Sequence, residues 1–189
     1  MPGSILIVSA LHEELELDGV LITGIGKLNA AYALTRALQH RKPELVVNYG
    51  TAGGLNPRLR GLVEVGRVLQ VDMNAEPLAP RGQTPRDSAP STLESGQDGV
   101  VCGSGDQFVT AVDPWLLSQG VEVVDMELFA IASVCHREGV AWRSYKYISD
   151  HADRQATGSW QAHLTGGQAA FGRQLEQLHA EPLAAQSDP

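Results

Sequence analysis

Cysteine, basic side chains and aromatic rings are all scarce in this chain of 189 residues. The two cysteines, Cys102 and Cys135, lie far apart and lack C-x-x-C spacing, so neither a thiolate metal site nor a dithiol redox motif is supported. Their spacing alone neither requires nor forbids a disulfide. Lys and Arg together number 14 against 22 Asp and Glu, a formal charge of −8. That balance argues against a nucleic-acid or anionic-membrane surface, which needs clustered basic side chains. No run approaches the ~20 apolar residues of a membrane span. The start, Met1-Pro2-Gly3-Ser4, has no basic leader and no long apolar stretch after it. A soluble cytoplasmic protein with no membrane or nucleic-acid partner is therefore expected. His12, His136 and His151 never approach H-x-x-x-H spacing, so no metal site is expected either.

What the chain does have is alternation. Ile5-Leu6-Ile7-Val8, Gly19-Val20-Leu21-Ile22-Thr23, Leu45-Val46-Val47-Asn48-Tyr49, residues 63–71, Val100-Val101-Cys102, Val121-Glu122-Val123-Val124 and residues 142–148 read as strands. Their β-branched runs lack strict alternation, as expected of strands buried on both faces. Between them, Lys27–His40 carries a helical stripe of Leu28, Ala31, Leu34 and Leu38, stopped by Pro43. Residues 126–137 repeat the pattern with Phe129, Ile131, Ala132 and Cys135, closed by Gly139. Residues 160–179 predict a C-terminal helix weakened by Gly166-Gly167. Strands alternating with helices predict an α/β fold with a largely parallel central sheet flanked by helices. The length suits a single domain, read here as residues 1–180. Residues 74–97 hold four of the ten prolines without periodicity and predict a long mobile loop. Residues 181–189 predict a disordered tail.

Polar and glycine-rich stretches cluster at predicted strand ends. Gly24-Ile25-Gly26-Lys27-Leu28-Asn29 is nearly the dinucleotide fingerprint, but Asn29 replaces its last glycine. The next strand ends in Asn48-Tyr49, where that fold needs an acid for the ribose. A tight strand-to-helix turn is the better reading. Asn48-Tyr49-Gly50-Thr51-Ala52-Gly53-Gly54 is either a sharp turn or a place where backbone N–H groups approach a ligand. Gly103-Ser104-Gly105-Asp106 is no nucleophile elbow, since Cys102 and Asp106 occupy the required glycine positions. Phe108 beyond it is either core or a stacking surface. Glu13-Glu14 follows the first strand. Asp125-Met126-Glu127 opens a helix, where Asp125 suits a cap and Glu127 can face either way. Ser149-Asp150-His151-Ala152-Asp153 follows the last strand and offers a carboxyl beside a hydroxyl. Together these put Glu14, Glu127 and Asp150 at three strand ends, with Lys146 almost the only nearby base. Such a site suits hydroxyls, amines and developing positive charge, and the residue types fit acid–base cleavage of a glycosidic bond.

The ordered set Thr23-Gly24-Ile25-Gly26-Lys27-Leu28-Asn29-Ala30-Ala31, Asn48-Tyr49-Gly50-Thr51-Ala52-Gly53-Gly54-Leu55, Ser104-Gly105-Asp106-Gln107-Phe108, Val124-Asp125-Met126-Glu127 and Ile148-Ser149-Asp150-His151-Ala152-Asp153 resembles the purine nucleoside phosphorylase/uridine phosphorylase superfamily. Within it, the chain most resembles the 5′-methylthioadenosine/S-adenosylhomocysteine nucleosidases. The resemblance implies a mixed-sheet α/β sandwich in a compact variant, cleavage of a purine N-glycosidic bond, no cofactor and a homodimer. It casts Glu14 as the base that activates water and Asp150 as the acid that protonates purine N7, supported by Ser149. It puts Met126 and Glu127 on the ribose, Phe108 on the base with Val109 offering backbone contacts, and Thr51 and Gly53 beneath ribose and water. Lys146 stands where the nucleosidases usually have arginine and is counted among the substrate-binding residues. Glu13-Glu14 in place of a Gly/Arg loop, and Asn48 near an arginine position of the phosphorylases, favour water over phosphate. Asp150 in place of asparagine favours a 6-aminopurine. A phosphorylase and a non-catalytic nucleoside-binding protein on the same scaffold are the alternatives. Two segments depart from the family: 16–18, where a longer insertion is usual, and 74–97, which replaces a helix-bearing stretch. The 5′ substituent is accordingly left open.

Overall fold

In the computed structural model, residues 4–111, 113–152, 160 and 163–180 are described. The apolar runs form eight strands: β1 (Ile5–Ser9), β2 (Leu21–Ile22), β3 (Leu45–Gly54), β4 (Leu62–Gln70), β5 (Thr92–Glu94), β6 (Val100–Ser104), β7 (Val123–Asp125) and β8 (Ala141–Asp150). Among the described residues the helices with full bounds are α1 (Lys27–His40), α2 (Pro114–Ser118), α3 (Leu128–Glu138) and α4 (Gln168–Ala180). One mixed sheet results, ordered β2-β1-β3-β7-β6-β4-β5, with β8 bridging β3 and β4. The pairings β3–β8, β8–β4, β4–β6, β6–β7 and β7–β3 close on themselves, so five strands form a ring with no free edge among them. The parallel pairs β1–β3 and β3–β8 bring the carboxyl ends of those three strands to a common side, the side where open α/β sheets hold ligands, while β7 enters beside β3 from the antiparallel direction.

Helices cover both faces. α1 and α3 pack together over Val8, Val46, Val65, Val68 and Trp142. α4 lays Phe171, Leu175 and Leu178 on Leu45, Val47, Tyr49 and Tyr145 of the other face, with the Phe171 and Tyr49 rings stacked at 4.6 Å. On α1 the buried residues are Ala30, Leu34 and Leu38, so the buried face starts two residues later than the expected stripe and leaves Leu28 exposed. α3 ends on Gly139 at φ 62, a left-handed cap that glycine takes without steric cost. Cys102 and Cys135 are buried free thiols.

The expected loop over 74–97 is largely irregular, but it includes β5, which pairs antiparallel to β4. It is also fastened at Arg81, whose guanidinium lies 4.3 Å from the Trp115 ring, bonds the Val71 carbonyl and forms an ion pair with Asp113. The expected tail, 181–189, lies outside the described residues, as does Asp153.

Candidate active site

The turn after β1 delivers Glu14 into the interior, 4% exposed. Its Oε1 accepts hydrogen bonds from the Thr51 backbone N–H (2.9 Å) and hydroxyl (2.7 Å). Its Oε2 accepts longer ones from the Ser9 hydroxyl (3.2 Å) and the Leu11 N–H (3.3 Å). An ionised carboxylate offers about four acceptor positions, so the chain satisfies this buried acid from β1, its turn and β3.

Asp150 reaches the same space through an irregularity. β3 and β8 pair in parallel until Ala52, opposite Ile148, after which Gly53 lies opposite Asp150. Ser149 is the extra residue of that bulge. In a regular strand consecutive side chains face opposite ways; here the bulge lets Ser149 and Asp150 line one cavity. The Ser149 hydroxyl donates to Asp150 Oδ2 at 2.9 Å, and the Ala152 N–H donates to Oδ1 at 2.8 Å. Gly53 is required by close approach, since a Cβ there would sit 3.0 Å from Asp150 Oδ1 and 3.2 Å from Val124.

Glu127 sits at the start of α3, and its Oε1 accepts from the Gly26 N–H at 2.9 Å. That bond gives the Gly24-Ile25-Gly26 motif its purpose. Gly26 adopts φ 95 ahead of α1 and aims a free helix-end donor at Glu127, while Asp106 takes the next, the Lys27 N–H, at 2.7 Å. Burial, then the neighbouring Asp125 carboxylate, pushes Glu127 up to about 7, although the Lys146 charge and the Gly26 donor oppose this. Asp125 caps α3, accepting from Leu128 N–H at 2.9 Å, and its carboxylate lies 2.7 Å from Lys146 Nζ. Burial alone would lower the Lys146 ammonium; Asp125 and Glu127 together hold it above the ordinary lysine value.

These groups surround one cavity of about 290 Å³. Of the residues predicted from sequence, Glu14, Thr51, Gly53, Phe108, Val109, Met126, Glu127, Ser149 and Asp150 all line it. Lys146 does not. It is 1% exposed and spent on Asp125, behind the cavity wall, because a lone ammonium among buried carboxylates is stable only when paired. Phe108 is 43% exposed at the rim, not core. Trp160 also lines the cavity, its ring edge-on to Phe108 at 6.2 Å and its indole N–H donating to the Thr51 hydroxyl at 2.9 Å. In sequence Trp160 reads only as a helix residue, and no local signal links it to a threonine 109 positions away. Among the described residues no cluster of His, Cys, Asp and Glu is arranged to hold a metal ion. Chemically, the arrangement can hold hydroxyls on carboxylates, give one proton and take another, beneath an aromatic lid for a flat base.

Comparisons with known proteins point the same way. The sequence profile of the Phosphorylase superfamily matches residues 19–80. The 5′-methylthioadenosine/S-adenosylhomocysteine nucleosidase of Actinobacillus succinogenes is 32% identical, over 84% of this chain and 80% of that protein. The enzyme of the same name from Haemophilus influenzae is 31% identical with the same coverage. Among solved structures, a Helicobacter pylori MTAN mutant with 5′-methylthioadenosine in the active site superimposes with a TM-score of 0.84, over 94% of this chain and 98% of that one, at 22% identity. The futalosine hydrolase of Helicobacter pylori superimposes with a TM-score of 0.82 at 23% identity, over 92% and 96% of the two chains. At those identities the structures establish the shared fold.

Proposed function

The chain belongs to the phosphorylase superfamily, among relatives of the 5′-methylthioadenosine/S-adenosylhomocysteine nucleosidases, and we propose from that membership that it hydrolyses the N-glycosidic bond of an adenine nucleoside at the cavity bounded by Glu14, Glu127 and Asp150. It is an N-glycosyl hydrolase. The observation that carries the assignment of roles is that three carboxyl groups, from a turn after β1, the start of α3 and the end of β8, line one cavity.

Purine leaves poorly as an anion, so a proton at N7 lowers the barrier; general acid assistance of this kind is worth ~10²–10⁴-fold. Asp150 supplies that proton, with the Ser149 hydroxyl orienting its carboxyl. As the bond stretches, the sugar becomes oxocarbenium-like, and the carboxylates of Glu14 and Glu127 stabilise its charge. Glu127 accepts the 2′-hydroxyl beside Met126, Phe108 stacks on the base with Val109 backbone beside it, and Thr51 and Gly53 floor the ribose. Glu14 takes a proton from the attacking water. Among the described lining residues there is no lysine or arginine, and phosphate is held by such side chains. This favours water over phosphate as the nucleophile.

We further read residues 1–180 as one domain, working in the cytoplasm as a homodimer. Leu28 and Tyr32, four apart on α1 and 80% and 64% exposed, offer an apolar stripe for a second copy. No described helix is long and apolar enough to cross a membrane.

A panel of nucleosides assayed for free base with and without phosphate tests the reading. Release of adenine at the same rate in both conditions is expected. Release that requires phosphate and yields a sugar 1-phosphate would establish a phosphorylase, and ligand-induced stabilisation without any release a binding protein.

A further inference from the structure

A hydroxyl has one proton to give, and an indole N–H can only donate. Trp160 Nε1 lies 2.9 Å from Thr51 Oγ1, and Thr51 Oγ1 lies 2.7 Å from Glu14 Oε1. Thr51 therefore accepts from Trp160 and gives its own hydroxyl proton to Glu14, since an ionised carboxylate can only accept. With Glu14 ionised, as a base must be, the chain runs in one direction, from indole to hydroxyl to carboxylate.

The two oxygens of Glu14 are then unequal. Oε1 receives two short bonds, both from Thr51, at 2.9 and 2.7 Å. Oε2 receives two long ones, at 3.2 Å from Ser9 and 3.3 Å from Leu11. The Ser9 hydroxyl also has a second acceptor within reach, the Leu11 carbonyl at 3.5 Å, so it can let go of Oε2. We propose that Trp160 is a positioning residue for hydrolysis: through Thr51 it ties down one oxygen of Glu14 and leaves Oε2 to take the proton of water. This rests on Glu14 being the base. In the step, the water O–H bond breaks and its proton goes to Oε2. The water oxygen bonds C1′, the C1′–N9 bond breaks with its electron pair leaving on the purine, and the Asp150 proton goes to N7. Glu14 ends protonated, Asp150 ionised, and solvent resets both.

Trp160→Phe keeps a ring beside Phe108 and removes only the donor. Its kcat is expected to fall roughly fivefold to tenfold, the worth of one hydrogen bond, with KM changed less than about twofold because the ring stays in place. Thr51→Val removes the relay while keeping the side-chain shape. In that background, adding Trp160→Phe is expected to cost nothing further. An equal loss in both backgrounds, or an unchanged kcat in Trp160→Phe, would overturn the proposal. A readout independent of turnover is the ¹⁵N–¹H resonance of the Trp160 indole in the unliganded protein, identified by its disappearance in Trp160→Phe. Thr51→Val is expected to move it toward the position of a free indole; an unmoved resonance would also overturn the proposal. Glu14→Gln separates the two levels, since full activity in that variant would remove Glu14 as base whatever Trp160 does.

Discussion

The charge of Glu127 is strongly set by its surroundings. Its pKa is raised from 4.5 to about 7, so the folded chain holds a proton that the unfolded chain releases. The stability this contributes is complete below about pH 4.5 and is lost as pH rises to about 7. Glu127→Gln keeps an acceptor for the Gly26 N–H but has no proton to lose. Thermal melts across that window should therefore find the variant gaining on the wild type as pH rises; parallel curves would contradict the burial argument. Lys146 makes the reverse case. Lys146→Met leaves the Asp125 carboxylate buried without its partner, and breaking such a pair costs ~3–5 kcal/mol. Urea unfolding should register that loss, and a cost below about 1 kcal/mol would place the pair among those that contribute little. Gly53→Ala would push a Cβ against Asp150 Oδ1, 3.0 Å away, so kcat should fall at least about tenfold, in line with a misplaced catalytic group. Each acid at a strand end also fitted an ordinary turn or helix cap, so it was their ordered set, and not any one of them, that was legible in the sequence. The pairing of Lys146 with Asp125 was not, since composition gives no hint of which carboxylate meets the one buried ammonium.

At the scale of elements, long uninterrupted patterns were readable and short ones were not. α1 spans Lys27–His40 as its periodicity predicts, because fourteen residues sample both faces several times. α2 has five residues, too few for periodicity; the structure shows Asp113 capping it ahead of Pro114, its carboxylate accepting the Trp115 N–H at 2.9 Å. β5 is three residues whose only cause is pairing with β4, opposite Val68 and its neighbours, and nothing local encodes that. The bulge that turns Ser149 and Asp150 into one cavity is likewise a property of two strands together. The turn into α1 was legible as a turn, while its target was not. Gly26→Ala would strain a φ of 95 and set a Cβ 3.2 Å from Asp106. Destabilisation of ~1–3 kcal/mol is expected, with KM raised through the displaced Glu127; an unchanged melting temperature and KM would separate this turn from the site.

Across the whole molecule, a closed ring of five strands fixes the ends of β3, β7 and β8 around one cavity, and the turn after β1 adds the fourth side. The chain spans 80% of the length of its relatives from Actinobacillus succinogenes and Haemophilus influenzae. If the exposed stripe on α1 is a subunit contact, light scattering should give twice the 20.2 kDa chain mass, and Tyr32→Glu should return it to one; a wild-type monomer would contradict the dimer. The central claim is tested most directly by timing adenine release from 5′-methylthioadenosine in phosphate-free buffer with the wild type, Glu14→Gln and Asp150→Asn. The account predicts steady release by the wild type and a loss of ~10²–10⁴-fold in each variant. Release that continues undiminished in both would mean that neither carboxyl group moves a proton in the reaction.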